Sequence, residues 1–381
     1  MPVGSLKNTL YALALPVLGK RCEWKTCGDA RLDRILHKHH VVGAAIQRFE
    51  KGKLAECHTA GFAALGENRK PVTETTVFRT ASLAKMVTAL LVFRLKTKGL
   101  LDTDEDVSDF LGYTVRNPHH PDVPITLGML LSHTSSIVDS PAYFASFSDP
   151  KPLQELLEEE AACTPHAPGA HFRYSNLAAG MIGCMLENRF GKSFEGLAQQ
   201  ELFEPLGVQA TFDLSRTAPA ITADSWRVLP AQLGFCAEKR IAAAKPVDRP
   251  DPQHHYLLAS GSLFLTAEAL ATLTLTAWSG ADGFLNEESL RQMHQPLMGW
   301  PDQAVRMRHG MGLFLLEDEK ICSEPLWGHQ GFAYGAVNGV FFNKEGTGFA
   351  CLVSGASERR IGHLACLNRD LIALWMKENH R

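Results

Sequence analysis

The sequence predicts an α+β protein, in which an antiparallel β-sheet is built from both ends of the chain and a mainly helical region is inserted between them. Strand-like runs flank short turns near both ends, at 41–61 and 335–355. The middle of the chain, 99–257, instead shows apolar residues at helical spacing, separated by loops. A chain of 381 residues is long enough for the two parts to form one large unit.

The folded unit is expected at 31–375, after an N-terminal extension at 1–30. The sheet part covers about 31–98 and 258–381, and the helical insertion covers about 99–257. Helices near the two ends flank the sheet. Since ligand sites usually lie in clefts between packed parts of a protein, we expect the site between the sheet and the insertion.

The individual elements follow from apolar period and turn residues. In the first part we expect a helix at 31–40, a hairpin of 41–49 and 54–61, a strand at 77–79 and a helix from Ser82. In the insertion we expect helices at 104–111, 125–133, 152–162, 177–190 and 194–203, then long loops at 211–253 that can cover a cleft. In the last part we expect helices at 267–279, 287–293 and 360–377, a short strand or turn at 261–265, and strands at 312–316, 335–343 and 348–355.

Composition excludes several classes of function. The net charge is −3, and basic residues neither cluster nor alternate with aromatic ones, so no nucleic-acid surface is expected. No apolar window is long enough for a membrane span. The apolar run at 10–18 has a thin charged flank and no small-residue cleavage site, which favours a short N-terminal helix over a secretory signal. The nine cysteines are scattered without a C-x-x-C, which indicates a reducing compartment, the cytoplasm.

The first candidate site is the pair Ser82 and Lys85. Residues three apart share a helix face, so the hydroxyl and the amine can meet at the first turn. Serine needs a neighbouring base to become a nucleophile, and a lysine serves if burial or nearby charge lowers its pKa. The same spacing recurs at Ser148 and Lys151, but Pro150 and a polar loop pattern give those side chains no common helix face.

The second candidate is Tyr174-Ser175-Asn176, in a loop before the predicted buried helix. A phenol between cationic neighbours can ionise nearer neutral pH and act as a base. The Asn176 amide can donate to a substrate carbonyl. The alternative is a packed tyrosine beside an asparagine that caps the next helix.

The third candidate is the glycine-rich stretch around His329 and Gly331, on a strand predicted to open the C-terminal part of the sheet. Glycines let a substrate approach the backbone closely. The N–H of Phe332 can then join that of Ser82 as an oxyanion hole. The alternative is an edge strand with one surface histidine.

In this order the three motifs, S-x-x-K, Y-x-N and H-x-G, resemble those of the serine β-lactamase and penicillin-binding protein superfamily, especially its class C-like branch of D,D-peptidases, D-amino-acid amidases and esterases. The resemblance runs from about residue 31 to about residue 375. It implies the β-lactamase/transpeptidase-like fold, with an active-site cleft between the sheet and the helical region.

The resemblance also implies roles for the matching residues. Ser82 would be the nucleophile, Lys85 would help to deprotonate it, and Tyr174 would be the general base and then the acid. Asn176 would orient the substrate and His329 would shape the electrostatics, while Gly331 allows close approach and the N–H groups of Ser82 and Phe332 form the oxyanion hole. No metal or organic cofactor is implied, because the covalent serine carries the chemistry.

Two residues depart from the family pattern. His329 stands where many members have lysine, and a neutral histidine attracts a substrate carboxylate less strongly. Gln330 stands where a small hydroxyl residue commonly helps to hold that carboxylate. Three functions therefore remain: hydrolysis of a D-amino-acid-containing peptide, hydrolysis of a small ester, or ligand binding without turnover on the same scaffold. The expected partner is a small-molecule or peptide substrate, and the oligomeric state is left open.

Overall fold

The computed structural model describes residue 14 and residues 25–66, 69–300 and 304–376. The helix predicted at 10–18 lies outside the described residues, apart from residue 14. None of the described helices is long and apolar enough to cross a membrane.

The strands of the described chain are short at the edges of the fold and long at its centre. They are β1 Gly43–Glu50, β2 Lys53–Ala64, β3 Lys70–Pro71, β4 Phe78–Arg79, β5 Ala210–Thr211, β6 Ser225–Val228, β7 Ala231–Phe235, β8 Phe264–Leu265, β9 Met298–Gly299, β10 Met307–His309, β11 Phe314–Leu316, β12 Leu326–Ala333, β13 Ala336–Phe342, β14 Gly348–Gly355, β15 Arg360–Ile361 and β16 Leu364–Ala365.

The described helices fill the middle of the chain and flank the sheet. They are α1 Ala30–Lys38, α2 Leu83–Thr97, α3 Val107–Leu111, α4 Leu127–Leu131, α5 Pro141–Ala145, α6 Leu153–Glu158, α7 Asn176–Phe190, α8 Phe194–Ala198, α9 Ala237–Ala242, α10 Leu258–Gly261, α11 Ala267–Ser279, α12 Glu287–His294 and α13 Cys366–Trp375. Gln199–Phe203 continues α8 as a π-helix, and Glu160–Ala162 and Leu214–Arg216 are single 3-10 turns.

The main sheet joins the two ends of the chain, which confirms the predicted α+β class. Its strand order is β3-β2-β1-β14-β13-β12-β11-β10-β9, with antiparallel neighbours. The N-terminal hairpin enters through β1, where Ile46 lies opposite Cys351 of β14 on one side and His58 of β2 on the other. β12 is therefore an inner strand of the sheet.

The core lies on both faces of this sheet. On one face α1 and α13 bury Leu32, Leu36 and Leu371 against the sheet. On the other face α2, α7 and α11 pack into a larger core. Helix α2 is buried all round, with both Leu83 and Leu95 fully covered, because the helical region encloses the side that the sheet leaves open. This burial fixes the position of the residue that precedes α2.

Two of the predicted elements are wrong in part. The long loops predicted at 211–253 contain an antiparallel hairpin, β6–β7, and the short helix α9. The helix predicted at 360–377 begins only at Cys366, because the chain first forms the β15–β16 hairpin, in which Gly362 takes the left-handed conformation at φ +55°. Strands β9 and β10 were not predicted, since two or three residues carry too little periodicity.

Candidate active site

Ser82 is the residue immediately before α2, and its side chain makes no capping bond to that helix. The chain reaches it through Ala81, which has φ +53°, a strained value for a residue with a Cβ. Thr80, the residue before Ala81, is held in place by two hydrogen bonds. Its N–H and its hydroxyl donate to Leu263 O at 2.9 and 3.1 Å. The turn therefore presents the Ser82 hydroxyl to the cleft instead of to the helix.

Lys85 lies one helical turn on, almost fully buried at 5% exposure. Its Nζ donates to Ser82 Oγ at 3.1 Å, to Asn176 Oδ1 at 2.9 Å and to the Ser260 carbonyl at 2.6 Å. Burial, opposed by the Asp139 charge and helped by that of Arg79, lowers the pKa of this amine to about 7. A large fraction of Lys85 is thus neutral near neutral pH.

These contacts decide where a neutral Lys85 points its lone pair. The Asn176 and Ser260 oxygens are acceptors only, so they keep the two remaining N–H groups. The lone pair is then left facing Ser82 Oγ, which can reverse the hydrogen bond and donate its proton to Nζ. The arrangement supplies a base within hydrogen-bonding distance of the serine.

Tyr174 completes the polar cluster around Ser82. The Ser82 side chain lies close enough to its hydroxyl to lower the pKa of the phenol, against the larger effect of burial, and the centroid of its ring lies 5.1 Å from Lys85 Nζ. The ring is tilted against that of His133 at 4.3 Å, and the His133 Nδ1 accepts the N–H of Ser175 at 3.3 Å. Burial raises the pKa of Tyr174, so the expectation of a phenol that ionises near neutral pH is wrong, and the group is a neutral O–H donor.

Asn176 does not cap the helix that follows it. Ser175 is the N-cap of α7, since its hydroxyl accepts the N–H of Ala178 at 3.0 Å. The Asn176 side chain is instead held between Lys85 and Asp139, with Nδ2 donating to Asp139 Oδ2 at 2.8 Å. The second Nδ2 hydrogen stays available to a molecule in the cleft.

Strand β12 runs past Ser82 at very short distance. A Cβ on Gly331 would lie 2.2 Å from Thr80 O and 3.1 Å from Ser82 N, so only glycine fits. Its neighbour Phe332 lines the same cleft as Ser82. The backbone of Ser82 and that of β12 are therefore adjacent, as an oxyanion hole between them requires.

His329 is buried on β12 and lines the cleft. Its Nδ1 donates to Gln330 O at 2.8 Å, and burial together with the Lys85 charge lowers its pKa to about 3. The side chain of Gln330 is engaged away from Ser82: Nε2 donates to His363 O at 3.1 Å, and Oε1 accepts from Ala365 N at 3.0 Å. Neither residue offers a positive charge to a carboxylate at neutral pH.

The cleft itself is a cavity of about 310 Å³ with an aromatic wall and one arginine. Its lining residues are Ser82, Tyr174, Asn176, Trp300, His309, Phe314, His329, Gln330, Phe332, Arg360 and His363. The Arg360 guanidinium stacks 3.7 Å from the centroid of the Phe332 ring, and burial lowers its pKa. Arg360 therefore gives the wall of the cleft a positively charged group in addition to Lys85, which contacts Ser82.

The structure therefore brings all the predicted site residues into one place. It adds three that the sequence analysis missed: Asp139, Ser260 and Arg360. Asp139 accepts hydrogen bonds from the start of α7, at 2.7 Å from Asn176 N and 2.9 Å from Leu177 N, as a carboxylate at a helix N-terminus does. In the described part of the chain no three His, Cys, Asp or Glu side chains are placed to hold a metal ion.

Curated relatives match about half of this chain, which spans between 37% and 55% of their own length. The chain is 28% identical to the D-alanyl-D-alanine-carboxypeptidase/endopeptidase AmpH of Escherichia coli over 48% of each chain, and 28% identical to the esterase EstB of Burkholderia gladioli over 55% of each. The solved octameric penicillin-binding protein homologue from Pyrococcus abyssi superposes with a TM-score of 0.70 at 21% identity, covering 98% of this chain and 77% of that one, which shows a shared fold.

The comparison with protein families covers the whole candidate site. The family model described as "Beta-lactamase" matches residues 29–366, a span that begins before the N-terminal hairpin and ends after His363, the last residue of the cleft wall. The matched span contains Ser82, Tyr174 and His329. The chain therefore belongs to the β-lactamase family.

Proposed function

We propose that this protein is a serine hydrolase, which forms an acyl-enzyme at Ser82 and cleaves an amide or ester bond. The observation that carries the proposal is the 3.1 Å contact between Ser82 Oγ and Lys85 Nζ, an amine whose pKa is lowered to about 7. A nucleophile with a neutral base beside it and backbone N–H groups facing the same cleft is what acyl transfer needs.

In the proposed acylation, Ser82 Oγ attacks the substrate carbonyl and passes its proton to neutral Lys85. The N–H groups of Ser82 and Phe332 stabilise the oxyanion. Tyr174 donates its O–H proton to the leaving nitrogen or oxygen as the C–N or C–O bond breaks, and the Lys85 ammonium returns a proton to Tyr174. Water then releases the acyl group by the reverse proton transfers.

For the substrate we propose a D-amino-acid-containing peptide, cleaved as by a D,D-carboxypeptidase. Arg360 supports this choice, because its guanidinium lines the cleft and can bind a peptide carboxylate through two N–H groups. The relative AmpH is named as an enzyme of this class.

A small ester is the alternative substrate, and a different observation favours it. His329 has a lowered pKa, and Gln330 is bonded to the backbone at His363 and Ala365, so the side chains of the third motif supply no positive charge for a carboxylate. An ester without a charged end needs no such group, and EstB is named as an esterase.

The experiment compares a nitrophenyl ester with a D-alanyl-D-alanine peptide and its all-L counterpart, on wild type, Ser82→Ala and Arg360→Gln. Loss of all turnover in Ser82→Ala, with Ser148→Ala unaffected, supports the acyl-enzyme. Loss of peptide but not ester turnover in Arg360→Gln supports the peptidase. Release of one nitrophenol per protein molecule, without further turnover, would support a ligand-binding protein. Full activity in Ser82→Ala would refute the proposal.

The compartment is a separate proposal. The eight described cysteines are all free thiols, which suits a reducing environment, so we place the protein in the cytoplasm. Separating the cytoplasm from the cell envelope and the medium, and measuring the amount of the protein in each fraction, tests this placement.

A further inference from the structure

Arg79, three residues before Ser82, carries a positive charge that no part of the described chain neutralises. Its Nη1 is buried and makes no hydrogen bond to any described residue, and none of the ion pairs found among the described residues includes Arg79. The ring of Tyr334 covers one face of the guanidinium, with the centroid 5.0 Å from Cζ. A cation–π contact leaves the donors in the guanidinium plane free.

These donors border a cavity of about 290 Å³ whose lining residues are all different from those of the Ser82 cleft. Two further cations line it, Arg240 of α9 and Lys245, and both are exposed. None of the ion pairs found in the described residues includes either of them. Three cationic side chains from two distant segments of the chain thus line one cavity.

One carboxylate, that of Asp213, lies in the same wall. Its Oδ1 accepts from the N–H and the hydroxyl of Ser215 at 2.9 and 2.7 Å, and its Oδ2 accepts from Val247 N at 3.1 Å. Backbone and hydroxyl donors therefore hold Asp213. The positive charges around it outnumber it.

The energetics favour an anion in this cavity. A buried charge without a partner is costly, and the cost falls when an opposite charge with hydrogen-bonding oxygens arrives. Burial lowers the pKa of Arg79, and the Arg240 charge lowers it too, whereas a bound anion would act in the opposite direction.

We propose that Arg79, Arg240 and Lys245 form a second binding site, separate from the Ser82 cleft, for a carboxylate or phosphate group. The oxyanion can come from two sources: a free anion, or the far end of a substrate whose reacting bond lies at Ser82. Only the second source rests on the proposed hydrolase function.

The first test is calorimetric titration of the whole protein with inorganic phosphate and with succinate. The double variant Arg240→Gln/Lys245→Gln changes two exposed side chains and is expected to fold normally. It should bind at least one of these anions about tenfold more weakly, since each lost charged hydrogen bond weakens binding. Lys239→Gln is the matched control, because it removes an exposed cation from the same helix without touching the cavity.

Absence of binding to wild type, or equal binding by wild type and the double variant, would overturn the proposal. Because the titration needs no turnover, its failure is distinct from failure of the hydrolase proposal.

The second test separates the two sources of the anion. The value of kcat/KM is measured for nitrophenyl acetate and for nitrophenyl esters of dicarboxylic acids of increasing length. A preference for a charged ester that disappears in the double variant, with acetate hydrolysis unchanged, assigns the site to the substrate. Equal use of charged and neutral esters, together with phosphate binding, assigns it to a free anion.

Discussion

Asp139 holds Asn176 at two points, accepting its backbone N–H at 2.7 Å through Oδ1 and its side-chain Nδ2 at 2.8 Å through Oδ2. The second bond fixes which way the amide faces, so that its oxygen is directed at Lys85. Asp139 also raises the pKa of Lys85 against the effect of burial. One carboxylate thus orients the amide and raises the pKa of Lys85, although Asp139 does not itself line the cleft.

Asp139→Asn should lower kcat/KM about tenfold or more. The substitution replaces one carboxylate oxygen by an NH2 group, which cannot accept a hydrogen bond, so the orientation of the Asn176 side chain is no longer fixed. The loss of the negative charge should also lower the pKa of Lys85 further and move the acidic limb of the pH profile to lower pH. Measuring kcat/KM against pH tests both effects. Asp149→Asn, in an exposed loop, is the control, and an unshifted limb with normal activity would contradict the role given to Asp139.

The pH dependence of wild-type acylation should report Lys85. A lysine accepts the serine proton only when neutral, so activity should be high above its pKa of about 7 and fall as the pH drops through that value. His329 is not expected to contribute to this limb, since its pKa is lowered to about 3. His329→Asn should therefore leave the position of the limb unchanged, and a limb that moves in this variant would assign it to the histidine.

Gly331→Ala should damage both folding and activity. The new Cβ would lie 2.2 Å from Thr80 O, a backbone atom, so β12 or the Ser82 turn must shift. Overpacking of this kind costs about 1–3 kcal/mol in the free energy of unfolding, and displacement of the oxyanion donors should lower kcat by about 100-fold. Urea unfolding and ester hydrolysis measure the two losses.

Gly261→Ala is the matched control for this variant. Its Cβ would meet nothing closer than 3.8 Å, although the nearest atom also belongs to the turn before Ser82. If Gly331→Ala were as stable and as active as Gly261→Ala, β12 and the turn before Ser82 would have to be farther apart than the 2.2 Å approach to Thr80 O implies.

Asp370→Asn should destabilise the contact between the two terminal helices. Although burial alone would raise its pKa, hydrogen bonds from His39 and Lys38, at 2.8 and 2.7 Å, and from Arg369 hold the pKa of Asp370 well below its ordinary value of 3.8. A carboxylate with a lowered folded pKa stabilises the protein above its unfolded pKa, and this stabilisation is lost as the pH falls.

The free energy of unfolding should therefore fall by about 1 kcal/mol in Asp370→Asn at pH 7, and the difference from wild type should shrink below about pH 4. Urea unfolding of both proteins across this pH range gives the measurement. A difference that stays constant down to pH 2 would mean that the charge of Asp370 does not contribute.

What the sequence predicts well is local. The spacing of Ser82 and Lys85 is meaningful because both fall in the first turn of a helix whose apolar residues follow at regular intervals. Strand β14 occupies the predicted residues 348–355, since a continuous apolar run between glycines and a turn marks a buried strand. The division at residues 99 and 257 stays a prediction.

What the sequence does not predict depends on contacts between distant segments. The Ser260 carbonyl meets Lys85 only because α10 packs against α2, and no residue type signals a backbone acceptor. Arg360 was assigned to a helix, because a periodic charge pattern hides the turn that Gly362 makes. Asp139 lies many residues before the helix whose start it binds. No sequence spacing therefore predicts its contact with Asn176.

The pairing of β1 with β14 has a consequence for when the site comes into existence. Ile46 is synthesised long before its strand partner Cys351, and Ser82 is synthesised long before its neighbour Gly331. Closing such long loops is slow, and it cannot start before the later strand has been synthesised. The nascent chain can carry its nucleophile on a formed helix, but without β12 it lacks the second wall of the cleft. The cleft is thus complete only in the finished sheet, after translation has passed β14 at residue 355.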